Sequence, residues 1–381
     1  MDGLTQGLLG AVAAQAVVGD KLGRRAAWIG FAAGAAPDLD ILIRSSTDPM
    51  LALECHRHFT HALLAIPLGG LLVGTLAWLL ARRRIAFWQA LLAATVGWAS
   101  HGVLDATTSY GTSLLWPFSD ARLAWDWMGI IDLFITAPLL IGMVLALKRR
   151  SPWPARIALA AAVLYMGYGA VQHGRAQSVQ QRLAAARGHD IERGRVLPSP
   201  LTLSLWRSIY VHGDRMVADA VWVGPTGEPR VWPGSSVARF DPRRALPELE
   251  PDAVLARDLR RFAHFTDGYV FVHRRGDGLV LGDFRYSLLP GGAQPLWGIR
   301  FDPQRPAAHV DRVRYEREPS ARLGRRLLGL LTGEAPGAVR ASALDAADLA
   351  PRRVPPAGVP EAVVDAAQEP PGRQMPLASQ D

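Results

Sequence analysis

Apolar and polar positions divide the chain into two halves of different character. Before about residue 172 long apolar runs dominate; afterwards short alternating runs are broken by Gly, Pro and charged residues. Six apolar segments precede that point, at 4–18, 26–43, 59–81, 85–105, 127–147 and 155–171. A bilayer core of about 30 Å takes about 20 helical residues, so these segments reach or approach spanning length. Segment 4–18 is short enough to be re-entrant, and 155–171 is Ala-rich and hydrophobic all round. The pattern predicts an α-helical membrane domain with five or six transmembrane helices over 1–172. A polar helical linker over 173–195 leads out of it.

The second half changes period. "LTLSLWRSIYVHGDRMVADAVWVGP" (201–225) alternates, and "DGYVFVHRRGDGLVLGDFRYSLL" (267–289) reads as two β-prone runs around a Gly-rich turn. "QPLWGIRFDP" and "HVDRVRYERE" offer further strands, and "AVLARDLRRFAHF" (253–265) a helix. Residues 196–333 are therefore expected to form a small α+β extramembrane domain with an antiparallel sheet. "SARLGRRLLGLLTG" (320–333) is a short basic amphipathic helix for a membrane surface or for the sheet. The Ala/Pro-rich stretch 334–381 predicts disorder.

Charge orients this scheme. The net charge of +8 does not form an aromatic-interleaved basic stripe, which argues against a nucleic-acid partner. Basic residues instead occupy alternate connections: "DKLGRR" (20–25), "RRR" (82–84) and "KRRSPWPAR" (148–156). The positive-inside rule places these three loops in the cytoplasm. The N-terminus, loops 44–58 and 106–126, and everything after about 172 then face the periplasm of a bacterial inner membrane. The opening "MDGLTQG" lacks the positive n-region of a cleavable signal peptide and is expected to be retained. Cys55 is the single cysteine, so no intramolecular disulfide can form.

With that topology the costly polar residues gather at one membrane face. "PDLD" (37–40) lies at the outer end of the second segment, and "HRHFTH" (56–61) leads into the third. "HGVLD" (101–105) ends the fourth, and Asp126 and Asp132 stand at the outer start of the fifth. Ionisable groups in a transmembrane segment face a bundle interior or a water-filled cavity. His101 and Asp105 are four apart and His58 and His61 three apart, so each pair shares a helix face. Pro37 favours a local break that lets both Asp38 and Asp40 turn inward. Imidazole with carboxylate suits zinc, or iron or manganese with more oxygen donors. Against this stand plain readings: a hydrogen-bonded His–Asp pair, a helix-end turn, solvated histidines. His212, His264, His273 and His309 lie without ligand spacing, and no phosphate loop, serine-nucleophile motif or Cys-x-x-Cys pair occurs.

The ordered set "MDGLTQGLLGA", "GAAPDLD", "HRHFTHALL", "HGVLDATTSYGTSLLWPFS" and "AWDWMGIIDLF" resembles the YdjM-like family of bacterial inner-membrane, predicted metal-dependent hydrolases over about residues 1–150. The resemblance implies a helical membrane domain and metal-dependent hydrolysis; family members are also described as LexA-binding. Motif by motif it points to Asp38 and Asp40, to His56, His58 and His61 with His61 foremost, and to His101 and Asp105. Gln6 departs from the pattern, since many relatives carry histidine there; it can still hydrogen-bond a water or a ligand carboxylate. The expectation is a metal-dependent hydrolase with a periplasmic-face site. Asp38, His61, His101 and Asp105 hold a divalent metal, zinc foremost, with Asp40, His58 and Asp132 as further ligand, general base or orienting group. The substrate would be a lipid or periplasmic ester, and residues 196–333 could bind a protein partner. The alternatives are a non-catalytic scaffold or regulator with a structural ion, and an ion-coupled transporter.

Overall fold

The computed structural model describes residues 1–275, 278–315, 321–344 and 349–354. The first part is helical: α1 (Gly3–Leu22), α2 (Arg24–Ala35), α3 (Leu51–Cys55), α4 (Ala65–Leu80), α5 (Phe87–Ala106), α6 (Leu133–Arg149) and α7 (Trp153–Ala186). Asp2 caps α1 through the N–H of Thr5, and Asp132 caps α6 through that of Phe134, each satisfying an end donor the helix leaves unpaired. Helix α2 gives way after Ala35 to a 3-10 turn over Ala36–Leu42, with Pro37 in its first positions.

Helices α1, α2 and α5 approach closely through small residues. A Cβ on Gly10 would overlap the carbonyl oxygen of Gly30, and one on Gly97 would lie 2.7 Å from that same oxygen. Outward faces reverse the usual pattern of a water-exposed helix: Leu68, Leu72 and Leu80 of α4, Ile141 of α6 and Ile157 and Leu164 of α7 are exposed. Inward lie Ala, Gly and polar groups such as Thr5, Gln6 and Gln15. Small residues inside with large apolar ones outside are the packing lipid favours.

Five or six spanning helices were expected, and the helix lengths correct this. Among the described residues one helix, α7, is long and apolar enough to cross a bilayer, or two if Leu51–His61 and Ala65–Leu80, bent by 80°, form one broken span. The reason is local. Helix α2 stops after 12 residues, α4 has 16 and α6 has 17; α1 and α5 have 20 each but carry Gln, Asp, Lys or His within them. The expected linker over 173–195 is not a separate unit either. Helix α7 runs unbroken for 34 residues, and Ala176, Val179 and Leu183 on its last turns pack under the sheet domain.

That domain contains two sheets rather than one. The first orders β1 (Arg193–Pro198), β2 (Leu205–His212), β3 (Arg215–Trp222), β4 (Arg230–Ala238) and, further along the chain, Arg352–Arg353, with Val339–Arg340 also pairing with β4. It is antiparallel except where Arg352–Arg353 runs parallel to β4. After short α8 (Pro242–Ala245) and α9 (Val254–Phe265), the second sheet orders β5 (Val270–Arg275), β6 (Gly278–Asp283), β7 (Trp297–Phe301) and β8 (Asp311–Arg314), all antiparallel. The turn of the anticipated hairpin, 276–277, lies outside the described residues, but Arg275 and Gly278 pair across it. The amphipathic α10 (Ala321–Thr332) buries Leu330 on the first sheet with Trp232. The disorder expected over 334–381 does not hold for β9 (Val339–Arg340) and β10 (Arg352–Arg353), whose backbone groups complete β4; residues 355–381 lie outside the described set.

The sheet domain sits on the end of the bundle that carries loops 43–50 and 107–132. Arg261 of α9 forks both Asp48 (2.9 and 2.9 Å) and Glu54 (2.6 and 2.6 Å), and Arg195 of β1 chelates Asp126 (2.9 and 2.7 Å). Met50 and Leu53 enter the α9 core.

The close helix approach can be tested directly. Gly10→Ala should lose about 1–3 kcal/mol of stability through overpacking, whereas Gly167→Ala, whose Cβ would meet nothing within 4 Å, should be neutral or stabilising. Both gain up to about 1 kcal/mol of helix propensity, so the difference between their unfolding midpoints in detergent reads the packing alone.

Candidate metal centre

Four polar side chains converge at the end of the bundle beneath the sheet domain. Asp38 comes from the 3-10 turn after α2, His61 from a second short turn over Phe59–His61, and His101 and Asp105 from the last turns of α5. Gly102 admits the His61 turn: a Cβ there would collide with the carbonyl of His61. Nε2 of His61 and Nε2 of His101 are 2.9 Å apart. Asp38 Oδ1 lies 3.5 and 3.4 Å from those two nitrogens, and Asp105 Oδ2 lies 3.3 and 3.6 Å from them. Bonds of about 2.0–2.1 Å to a tetrahedral ion set donor atoms about 3.3 Å apart. The five distances scatter around that edge, so the set can hold a metal ion.

The outer nitrogens show which lone pairs face inward. His101 Nδ1 is 2.6 Å from the carbonyl oxygen of Gly34, which can only accept, so Nδ1 carries the proton. Pro37, three positions on, has no N–H to offer that carbonyl. His61 Nδ1 lies 2.9 Å from Thr60 Oγ1 and 3.4 Å from Asp40 Oδ2. Thr60 in turn donates to Asp40 Oδ2 at 3.1 Å. Both imidazoles thus have their outer nitrogen engaged and present Nε2 to the centre, the arrangement in which a carboxylate or carbonyl orients a metal-binding histidine.

The carboxylates are anchored differently. Asp105 Oδ1 accepts from Gln6 Nε2 at 2.6 Å and from the α-amino group of Met1. Asp105 Oδ2 is buried with no hydrogen-bond donor; Arg57 Nε is 2.9 Å away, but its N–H is not aimed at it. An anionic oxygen left without a donor, facing two imidazole nitrogens, is what a cation would satisfy. Gln6, which stands where histidine was expected, therefore supports a donor rather than joining the set. Asp38 is 29% exposed at its side chain while the other three donors are closed off, so the centre is reached past Asp38.

The remaining candidates divide. Asp40 is buried, holds His56 Nδ1 at 2.8 Å, the Arg57 N–H at 2.9 Å and the Thr60–His61 pair, and so orients the donors. His58, favoured over His56 on sequence, rests against Trp116 and Phe59 away from the donor cluster. His56 is the one brought in, because the turn at Arg57 (φ 61°) swings its ring onto Asp40. Asp132 caps α6 and binds the Tyr165 hydroxyl at 2.8 Å, apart from the four donors. Arg57, missed on sequence because its partners Asp40, Asp105 and Thr108 all lie 17 or more positions away, touches both carboxylate anchors.

A family model described as YdjM inner membrane protein matches residues 1–176. Over that stretch, just under half of the chain, the protein is similar to this family. All four donors fall inside the matched YdjM region, as does Asp40. No curated protein and no solved structure matches the chain.

Metal analysis of the detergent-purified protein tests the centre. His61→Ala and His101→Ala should each abolish stoichiometric metal, and retention of metal by both would sink the assignment. Asp40→Asn should keep every donor yet weaken affinity about 10–100-fold, while His58→Ala and Asp132→Ala should bind metal like the parent.

Proposed function

We propose that this protein is a metal-dependent hydrolase of the bacterial inner membrane whose site opens at the periplasmic face and takes a lipid or periplasmic ester-type substrate. The observation that carries the reading is the asymmetry of the donor set. Three donors are sealed in the bundle, and Asp38 stands on a turn whose Leu39, Ile41 and Leu42 are exposed. A substrate meeting the centre passes apolar side chains, which suits an acyl chain or a lipid-linked group. Two nitrogens and two oxygens within 4.8 Å of one another suit zinc, with manganese or iron accepting the same donors.

A divalent ion held there supplies Lewis acidity for hydrolysis. Asp40 acts as a positioning residue: through Thr60 and His61 Nδ1 it keeps His61 Nε2 turned to the centre. Arg57 sets a positive charge beside Asp105, offsetting part of the negative charge of the donor carboxylates. Asp38, the exposed donor, would be the one an incoming substrate meets first.

The orientation rests on charge. Arg24 and Arg150 line one cleft at the end of the bundle away from the sheet domain, and Lys21 lies over the Trp88 ring at 4.4 Å. By the positive-inside rule this end is cytoplasmic, which makes the outward apolar helix faces a multi-pass membrane surface and the sheet domain periplasmic. A reporter fused after residue 200 should read periplasmic; a cytoplasmic signal would reverse the topology.

A second reading has its own support. Four protein donors are enough to fill the coordination of a structural ion; the chain would then be a scaffold whose sheet domain binds a protein partner. The two readings part in nanodiscs offered ester and phosphoester lipid analogues. Hydrolysis should be lost on chelation and in His101→Ala, and fall about 10–100-fold in Asp40→Asn. Loss of stability on chelation with no turnover of any analogue would leave the scaffold.

A further inference from the structure

At the seam between the two domains lies a cavity of about 480 Å³. Its walls include Tyr110, Arg122 and Trp125 from the α5–α6 connection, Phe265 from α9, and Arg195 and Arg285 from the sheet domain. None of the four metal donors lines it. Two of its three guanidinium groups are already neutralised. Arg195 is chelated by Asp126 at 2.9 and 2.7 Å, and Arg285 by Asp283 at 3.0 and 2.9 Å. At the rim, Asp267 takes Arg193 at 3.2 Å.

Arg122 differs. One of its nitrogens donates to the carbonyls of His56 at 3.1 Å and Gly111 at 3.0 Å, and its Nε is buried with no acceptor. Among the described residues no carboxylate forms an ion pair with it, and Asp120, also on the cavity wall, is exposed. The Tyr110 and Phe265 rings lie 5.5 and 5.2 Å from its guanidinium. Burial, with Arg285 and Arg57 close by, pulls its pKa down to about 10. A guanidinium in such surroundings is costly unless an anion joins it, and its Nη1, with no acceptor among the described residues, is left to donate to an oxyanion.

We infer that this cavity is an oxyanion site for a phosphate-type group, anchored by Arg122. The volume is far more than the anion alone fills, so the group carries a polar body, and Trp125, His173 and Gln177 are placed to receive it. The phosphate comes either from a lipid headgroup at this membrane face or from a free phosphorylated molecule. Because Arg122 also holds the carbonyl of His56, whose ring sits on Asp40, occupancy stiffens the turn that carries His61. The site stands independently of the hydrolase reading, since Arg122 is not a metal donor.

The test uses the full-length protein in detergent with inorganic phosphate as the probe and chloride at equal ionic strength as the control. Phosphate should raise the unfolding midpoint by a few degrees where chloride does not. Titration calorimetry should show binding weakened roughly ten-fold or more in Arg122→Gln, with metal content unchanged. Should that variant fail to fold, Arg122→Lys keeps the charge without the fork and should fold yet bind phosphate more weakly. Equal responses to phosphate and chloride, or unaltered phosphate binding in the variant that folds, overturn the site. In nanodiscs containing phosphatidic acid, loss of the response to added phosphate supports a lipid headgroup as occupant. Persistence of the response there supports a soluble phosphate.

Discussion

The bond from His101 Nδ1–H to the carbonyl of Gly34 ties the packing of the bundle to its chemistry. It exists because α5 lies against α2 at glycine contact distance, where Gly97 would meet the Gly30 carbonyl if it carried a Cβ. Just beyond Gly34, Pro37 stands at the start of the 3-10 turn that brings Asp38 to His61 and His101. The end of α2 therefore supplies both the acceptor that orients His101 and, through Asp38, a carboxylate beside it. Wider helix separation would break both at once.

Polar groups inside and apolar groups outside make the helical part unfit for water yet coherent in a bilayer. Several of its buried polar groups answer one another within the bundle: Thr5 with Asp2 and Thr136, Gln6 with Asp105, Tyr165 with Asp132. The sheet domain needs a different attachment, since lipid cannot drive it onto the bundle. It uses two arginine forks, Arg195 on Asp126 and Arg261 on Asp48 and Glu54, around the apolar plug of Met50 and Leu53. Bidentate pairs of this kind fix orientation as well as proximity, which holds the α5–α6 connection over the centre.

The donors were legible in the sequence because each sits in a short motif with a backbone reason behind it: a proline break for Asp38, an i, i+4 face for His101 and Asp105. The hairpin of β5 and β6 and the helix α9 were legible from their periods. What escaped depended on distant partners. His56 and His58 look alike along the chain, and the left-handed turn at Arg57 selects between them. The count of crossings was overestimated because hydropathy sums residues without seeing that α2 ends after 12 of them. The strand pairs at Val339–Arg340 and Arg352–Arg353 are two residues long in Ala/Pro-rich surroundings, with no alternation to betray them; β4 supplies their register.

Arg57 shows how the centre uses strain. A non-glycine residue in the left-handed region costs roughly 1–3 kcal/mol, and such residues persist where surrounding contacts over-determine them. Here the contacts run in opposite directions from one residue. Its N–H binds Asp40 Oδ2, its guanidinium binds Thr108 and lies beside Asp105, and its Cζ stands 5.0 Å from the Tyr110 ring. An extended backbone at this position could serve the carboxylate of one turn but not the end of α5 as well. The turned backbone serves both, so the carboxylate that orients His61 and the carboxylate that faces the donors are held by a single side chain and its own amide. The Tyr110 ring lies 5.0 Å from the Arg57 guanidinium and 5.5 Å from that of Arg122. That arrangement lets two positive charges stand near one centre without pairing to the same anion, leaving Asp105 to Arg57 and the cavity to Arg122.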